Sequence, residues 1–301
     1  MNETTPTRCG YAAILGAPNA GKSTLLNRMV GAKVSIVSPK VQTTRTKVLG
    51  IQVKDGTQII YVDTPGIFRP KRRLDRAMVA AAWTGAADAD LVVLMVDAEA
   101  GIDDGVRAIV GELKKRNQRA LLALNKIDAL KRDKLLALAQ ELDAEGIFDR
   151  VFMISALTGD GVVDLESHLI AHMPLGHWLF PEDQLSDIPQ RLLASEVTRE
   201  QIYLQLHDEL PYEATVETET WEEFKDGSVK IRQIIYVQRD SQKAIVLGKG
   251  GQRIKKLSER ARAELETMFE RRVHLFLFVK VRENWLEDRE RFQAIGLDFD
   301  S

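Results

Sequence analysis

Gly16-Ala17-Pro18-Asn19-Ala20-Gly21-Lys22-Ser23 fits the pattern G-x-x-x-x-G-K-[ST] at every fixed position, and that pattern is compatible with very few folds. It needs a buried strand before it and a helix after it. Residues 11–15 are a short apolar run of strand character, and residues 23–29 read as a helix. Gly16 and Gly21 let the backbone bend until its N–H groups face inward. The helix N-terminus adds a partial positive charge worth up to about 1 kcal/mol to an anion. The stretch is therefore expected to bind a nucleoside triphosphate through Gly16, Asn19, Ala20, Gly21, Lys22, Ser23 and Thr24. Lys22 then reaches the terminal phosphates, and the Ser23 hydroxyl ligates Mg²⁺.

A chain of 301 residues exceeds one typical core and suits two domains. Lys+Arg 42 against Asp+Glu 44 leaves a net charge of -2, so any nucleic-acid surface must be local. The single Cys9 excludes an intramolecular disulfide and suits a reducing compartment. No apolar run approaches a membrane span, and the polar start is no signal peptide. A cytoplasmic location is expected.

Residues 31–46 are polar and show neither helical nor strand periodicity. Such a loop can be ordered by a γ-phosphate and give Mg²⁺ a second protein ligand; Thr44 is the first choice and Thr43 the second. Beyond it, apolar runs of strand length at 48–53, 59–62, 91–96, 120–124 and 151–154 alternate with helical stretches near 74–83, 104–117, 131–145 and 162–173. That order predicts an α/β domain with a mainly parallel sheet covered on both faces, its ligand beyond the carboxyl ends of the strands.

Four features fall at those ends. Asp63-Thr64-Pro65-Gly66 follows one strand; Asp63 can hold Mg²⁺ through water, and the Gly66 N–H can meet a γ-phosphate oxygen. Asn125-Lys126-Ile127-Asp128 follows another. The Asp128 carboxylate accepts from the ring N–H and amino group of guanine but would face an unpaired acceptor in adenine. Asn125 ties the loops together, and the Lys126 stem covers the base. Ser155-Ala156 can present a backbone N–H to the guanine oxygen.

In this order the motifs resemble the GTPase family of translation factors and small G proteins over about the first 173 residues. The resemblance implies hydrolysis of GTP, with Lys22, Thr44 and the Gly66 N–H acting on the reacting phosphate. One departure stands out: Ile67 follows Asp-Thr-Pro-Gly, where Ras-like members carry a Gln that orients water. Slow intrinsic hydrolysis is expected, or help from backbone, another loop or a cation. Asn19 is similar to the Asn of bacterial members that place K⁺ beside the phosphates; alternatively it stabilises the turn.

Residues 174–190 carry Pro174, Pro181 and Pro189 and read as a linker. A helix over 191–209, strands over 215–221 and 229–237, and a turn at 225–228 follow. Then Gly248-Lys249-Gly250-Gly251 fits a G-x-x-G loop. After it, Ile254, Leu257, Ala261, Leu265 and Met268 recur at helical spacing, and 273–281 alternates as a strand. This order resembles the type II KH fold over 191–301. Between Lys243 and Arg272 nine basic residues face four acidic ones. Lys249, Arg253, Lys255 and Lys256 can attract a nucleic-acid backbone that approaches Gly248, Gly250 and Gly251 closely.

A phosphate-loop GTPase with a C-terminal KH domain resembles a family of bacterial ribosome-assembly GTPases. The resemblance implies a monomer that binds the 3′ end of small-subunit (16S) ribosomal RNA while GTP is bound and acts on the 30S subunit. It also implies peripheral association with the inner membrane face. The alternative is a GTP-sensing scaffold that works at the membrane or in cell-cycle control through protein partners. Four further features are read as structural. His168, His172 and His177 are surface or packing residues; Trp178 and Phe180 pin the two domains; Lys71, Arg72 and Arg73 form a solvated loop. Trp285 and Phe292 either stack on bases or close the core.

Overall fold

The computed structural model describes residues 7–207 and 209–283 together with Trp285, Asp288, Arg289, Phe292 and 297–299. The chain divides into two compact units, one made of Met1–Ser35, Thr44–Asp187 and Ile295–Ser301, the other of Ile36–Thr43 and Ile188–Ala294.

In the first unit the order is β1 (Arg8–Gly16), α1 (Lys22–Val30), β2 (Val48–Lys54), β3 (Thr57–Asp63), α2 (Arg73–Ala87) and β4 (Leu91–Asp97). Then come α3 (Asp104–Lys115), β5 (Ala120–Asn125), α4 (Arg132–Asp143), β6 (Phe148–Met153) and α5 (Val162–His172). Among the described residues the strands form one sheet ordered β2-β3-β1-β4-β5-β6. Every pair is parallel except β2 with β3. Asp55 and Gly56 between those two strands both take positive φ, 51° and 73°, the backbone of a tight hairpin turn that Asp-Gly favours.

The parallel strands read as continuous apolar runs because both faces are covered. On one side Ala13 and Leu15 of β1 pack with Ala82 and Ala86 of α2, Ile109 and Leu113 of α3 and Leu135 of α4. On the other, Ala12 and Ile14 meet Leu25, Leu26 and Met29 of α1 and Leu165 and Leu169 of α5. From β1 the sheet order runs to β3 on one side and β4 on the other. The loop after β1 therefore opens at the point where strand order reverses, the crevice that ligands of such sheets occupy.

Residues 174–187 are held along the first unit. Pro174 O accepts from Cys9 N–H at 3.1 Å and Leu185 O from Ile51 N–H at 2.8 Å. Gln58, fully buried, accepts from the Leu179 and Phe180 N–H groups at 2.8 and 3.0 Å and donates to Phe180 O at 2.8 Å. Trp178 and Phe180 pack on this unit's core, so the expectation that they pin two domains is replaced by anchorage to one.

The second unit contains α6 (Gln190–Gln205), β7 (Thr215–Glu223), β8 (Val229–Val237), α7 (Asp240–Leu247), α8 (Gln252–Phe269) and β9 (Val273–Val281). Its sheet is ordered β7-β8-β9, with β8 antiparallel to β7 and parallel to β9. A parallel pair needs a crossover, and α7 and α8 supply it. Leu257, Ala261 and Leu265 of α8 are buried against Ile202 and Val197 of α6 and the inner faces of the strands. Trp285 and Phe292 are also buried, and the Trp285 indole N–H donates to Glu213 O at 2.9 Å. Neither ring is exposed for stacking on a base.

Segment Ile36–Thr43 packs with this unit on α6. Val37 N–H donates to Glu200 Oε1 at 2.7 Å, and Lys40 Nζ donates to the carbonyls of Tyr203 and Leu206. Tyr203 Oη donates to Gln42 O at 3.2 Å, and Arg199 Nη2 to Thr43 O. Burial works against the charge of Arg199, but Glu196 more than offsets this and holds its pKa above the ordinary value.

Leu94 is fully buried in the centre of the first sheet. Leu94→Ala should destabilise the first unit by about 2–5 kcal/mol, read as a lower midpoint in urea denaturation.

Candidate nucleotide site and nucleic-acid interface

Between β1 and α1 the chain turns through Gly21 at φ 98°, and a Cβ there would lie 2.2 Å from Asn125 Nδ2. Only glycine fits both demands. Lys22 Nζ donates to Gly16 O at 3.2 Å and Ala17 O at 3.0 Å, which folds the side chain back over the loop. Burial pulls its pKa down to about 8, opposed by the charge of Asp63. An anion held by the loop would offset the same penalty. Asn19 is exposed on the loop with φ 63°. Ala20 is buried, whereas Thr24 is half-buried in the first turn of α1.

Asp63 ends β3 in full burial. Its Oδ2 accepts from Ser23 Oγ at 2.6 Å, Ser35 Oγ at 2.8 Å and Thr44 Oγ1 at 3.4 Å, and Ser23 and Thr44 lie 2.9 Å apart. Oδ1 is buried with no hydrogen-bond partner among the described residues. Burial raises the pKa of this carboxyl, while the Ser23 hydrogen bond and the Lys22 charge lower it. An orphaned carboxylate oxygen beside three hydroxyls is an all-oxygen donor set that fits a hard divalent cation such as Mg²⁺. The structure brings Thr44 to this cluster and not Thr43, whose hydroxyl donates to Lys40 O at 2.8 Å and lies 2.6 Å from Ser38 Oγ. Ser35 joins the cluster without any signal in the sequence, since a lone Ser in a polar loop has no pattern.

Gly66 lies against the phosphate loop, where a Cβ would sit 2.9 Å from Pro18. Ile67 N–H donates to Gly16 O at 3.0 Å, and its side chain is buried in the core, so this residue cannot face a water at the phosphates.

The other loop cluster is joined by Asn125, whose Nδ2 donates to Ala20 O at 2.7 Å and whose Oδ1 accepts from Ala156 N–H at 2.8 Å. Asp128 is exposed on a short 3₁₀ turn, Ile127–Ala129. Lys126 takes φ 67° and pairs with Asp97 at 2.5 Å. Ser155 N–H donates to Asp160 O at 2.9 Å. Both N–H groups of Ser155-Ala156 are thus engaged inside the protein.

In the second unit Gly248 leads into a 3₁₀ turn, Lys249–Gly251, and α8 starts immediately after it. The space beside Gly250 and Gly251 is open, whereas a Cβ on Gly248 would meet Arg253 Cβ at 2.6 Å. Lys249, Arg253, Lys255 and Lys256 are exposed around this turn, and Arg253 also donates to Ile245 O at 2.9 Å. His168 and His172 stack with ring centroids 3.9 Å apart, and no cluster of metal-ligating side chains occurs among the described residues. Nor does any described helix have the length and apolarity to cross a membrane.

The family model for a 50S ribosome-binding GTPase matches residues 11–126, and that for a KH domain matches residues 209–286. Fold and site together define a phosphate-loop GTPase joined to a KH domain. A GTPase Era of Dinoroseobacter shibae is 59% identical over 98% of this chain and 96% of its own. The crystal structure of a point variant of Aquifex aeolicus Era bound to GDP·AlF₄⁻ superposes with a TM-score of 0.91 at 37% identity, covering 96% of this chain and 99% of that one. Era in complex with MgGDPNP and nucleotides 1506–1542 of 16S ribosomal RNA matches with the same score, identity and coverage. The chain belongs to the GTPase Era family, and it is a GTPase.

If Thr44 rather than Thr43 serves the cation, Thr44→Ala should raise the Mg²⁺ concentration for half-maximal GTP hydrolysis about tenfold, with Thr43→Ala close to wild type. Equal effects of the two substitutions in a magnesium titration would remove the distinction.

Proposed function

We propose that this GTPase is a nucleotide-driven switch that binds the 3′ end of 16S ribosomal RNA through the G-x-x-G turn and assists assembly of the small ribosomal subunit. Residues 1–173 form the GTPase domain, 174–190 the linker and 191–301 the RNA-binding domain. GTP lies on the phosphate loop with its guanine against Asp128. Mg²⁺ is held by Ser23 and Thr44, with Asp63 behind, and neutralises charge on the phosphates. Lys22 and the Gly66 N–H stabilise the charge that develops as water attacks the γ-phosphorus. Among the described residues no side chain at the site is positioned as a general base. A K⁺ ion at Asn19 adds a further positive charge there.

One observation carries the switch. Ser35 and Thr44, which flank segment Ile36–Thr43, both donate to Asp63 Oδ2, while the segment itself is hydrogen-bonded to Arg199, Glu200, Tyr203 and Leu206 of the second unit. A change of ligation at Asp63 therefore loads both ends of a segment that the RNA-binding unit holds. The RNA complex of the 37% identical relative supports the choice of RNA.

The test is binding of a short single-stranded RNA ending in the small-subunit 3′ sequence, with GDP and with a non-hydrolysable GTP analogue, at two salt concentrations. Binding should be about tenfold tighter with the analogue. By linkage the RNA must then tighten the analogue by the same factor. Gly250→Asp places a carboxylate in open space at the turn and should abolish RNA binding, whereas Lys249→Ala should flatten the salt dependence by about one phosphate contact. Equal affinity in both nucleotide states would sink the coupling.

Lys40→Ala removes the bonds to the Tyr203 and Leu206 carbonyls. It should leave RNA affinity with GDP unchanged and cut the enhancement by the GTP analogue to about twofold or less. An intact enhancement would show that the segment's seat on α6 carries no information.

A further inference from the structure

Arg28, in the last turn of α1, grips the loop that follows β6. Its Nε donates to Ala156 O at 2.7 Å and its Nη2 to Leu157 O. The guanidinium is seated in this loop: a Cβ on Gly159 would lie 2.8 Å from Nη1, and Gly159 takes φ 100°. Phosphate-loop, cation and base-pairing motifs all leave Arg28 without a role.

The loop's own N–H groups show what this grip achieves. Ser155 N–H is bonded to Asp160 O, Ala156 N–H to Asn125 Oδ1, Thr158 N–H to Ser155 Oγ and Gly159 N–H to Ser155 O. Leu157 N–H has no partner among the described residues, and Leu157 is 72% exposed. A trans peptide is planar, with its C=O and N–H pointing in opposite directions. The carbonyl held by Arg28 Nε and the free Leu157 N–H belong to the same peptide group. Fixing the oxygen toward α1 therefore aims the N–H away from α1, and a cation on the oxygen makes that N–H a stronger donor.

We infer that Arg28 is a positioning residue for base selection, which orients and polarises the Leu157 N–H so that it donates to the 6-oxo group of the bound purine. The inference rests on the reading of Asp128 as the guanine acceptor. Asp128 senses the ring N–H and 2-amino edge, and the Arg28-held peptide senses the neighbouring acceptor.

The test compares GTP, ITP and 6-thioguanosine triphosphate by equilibrium binding to the full chain. ITP keeps the 6-oxo group and lacks the 2-amino group. The thio compound keeps the N–H and amino donors and exchanges the oxygen for a weak acceptor. Arg28→Ala should weaken GTP and ITP by the same factor, about tenfold, and leave the thio compound within about twofold, which closes the gap that wild type shows between GTP and its thio analogue. Arg28→Lys, which keeps charge and donors, should recover part of that gap. Equal weakening of all three nucleotides would reduce Arg28 to a structural brace, and no weakening, or no gap in wild type, would overturn the inference. A wild type that binds ATP as well as GTP would instead mark failure of the Asp128 reading.

Discussion

Three hydroxyls meet one oxygen of Asp63, and most of the nucleotide site can be derived from that meeting. A buried carboxylate is unfavourable unless hydrogen bonds and opposite charge surround it. Here Ser23, Ser35 and Thr44 supply the hydrogen bonds and Lys22 the charge. All the hydroxyls crowd on Oδ2 and leave Oδ1 without a partner among the described residues. The asymmetry is a stored demand for positive charge. The same geometry brings the first turn of α1 and both flanks of segment Ile36–Thr43 to one point, so all three share one carboxylate.

The motifs legible in the sequence are those in which backbone geometry restricts residue type over a short span. Gly21 must reach a positive φ against Asn125, and Asn125 must bridge Ala20 and Ala156; both constraints leave fixed spacings behind. Alternation of apolar runs likewise locates the strands and helices of the first unit. The antiparallel start of the sheet escapes that reading although Asp55-Gly56 carries a hairpin signal, because the parallel alternation farther along dominates the pattern. Helix α7 escapes it too, since Ala244 to Leu247 is too short an apolar run to separate helix from strand.

Other residues are illegible for a different reason. Ser35, Arg28, Asn27 and Gln58 act through contacts across loops, and a single polar residue in a loop or on a helix has no periodic signature. Gln58 makes the point most fully: inside an apolar strand it looks like an interruption, yet its amide satisfies Leu179 and Phe180 of a stretch more than a hundred positions away. Trp285 and Phe292 are ambiguous in sequence because an aromatic ring suits a core and a base equally well; only burial decides.

Helix α1 shows how so few residues can govern several loops at once. At about 1.5 Å per residue its nine residues span roughly 13 Å, and Leu25, Leu26 and Met29 lock one side into the core. Lys22 at its start folds back on the Gly16 and Ala17 carbonyls, and Ser23 donates to Asp63. Asn27 near its end accepts from the Val34 and Ser35 N–H groups at 2.9 Å and donates to Ser35 O at 2.7 Å, while Arg28 holds Ala156 and Leu157. The Ser35 hydroxyl returns to Asp63, which closes a ring of hydrogen bonds through Ser23, α1 and Asn27. A rigid rod fixed in the core cannot move one end without the other. Displacement of the phosphate loop must therefore be felt at Ser35 and at the loop after β6, because both are bonded to this one helix.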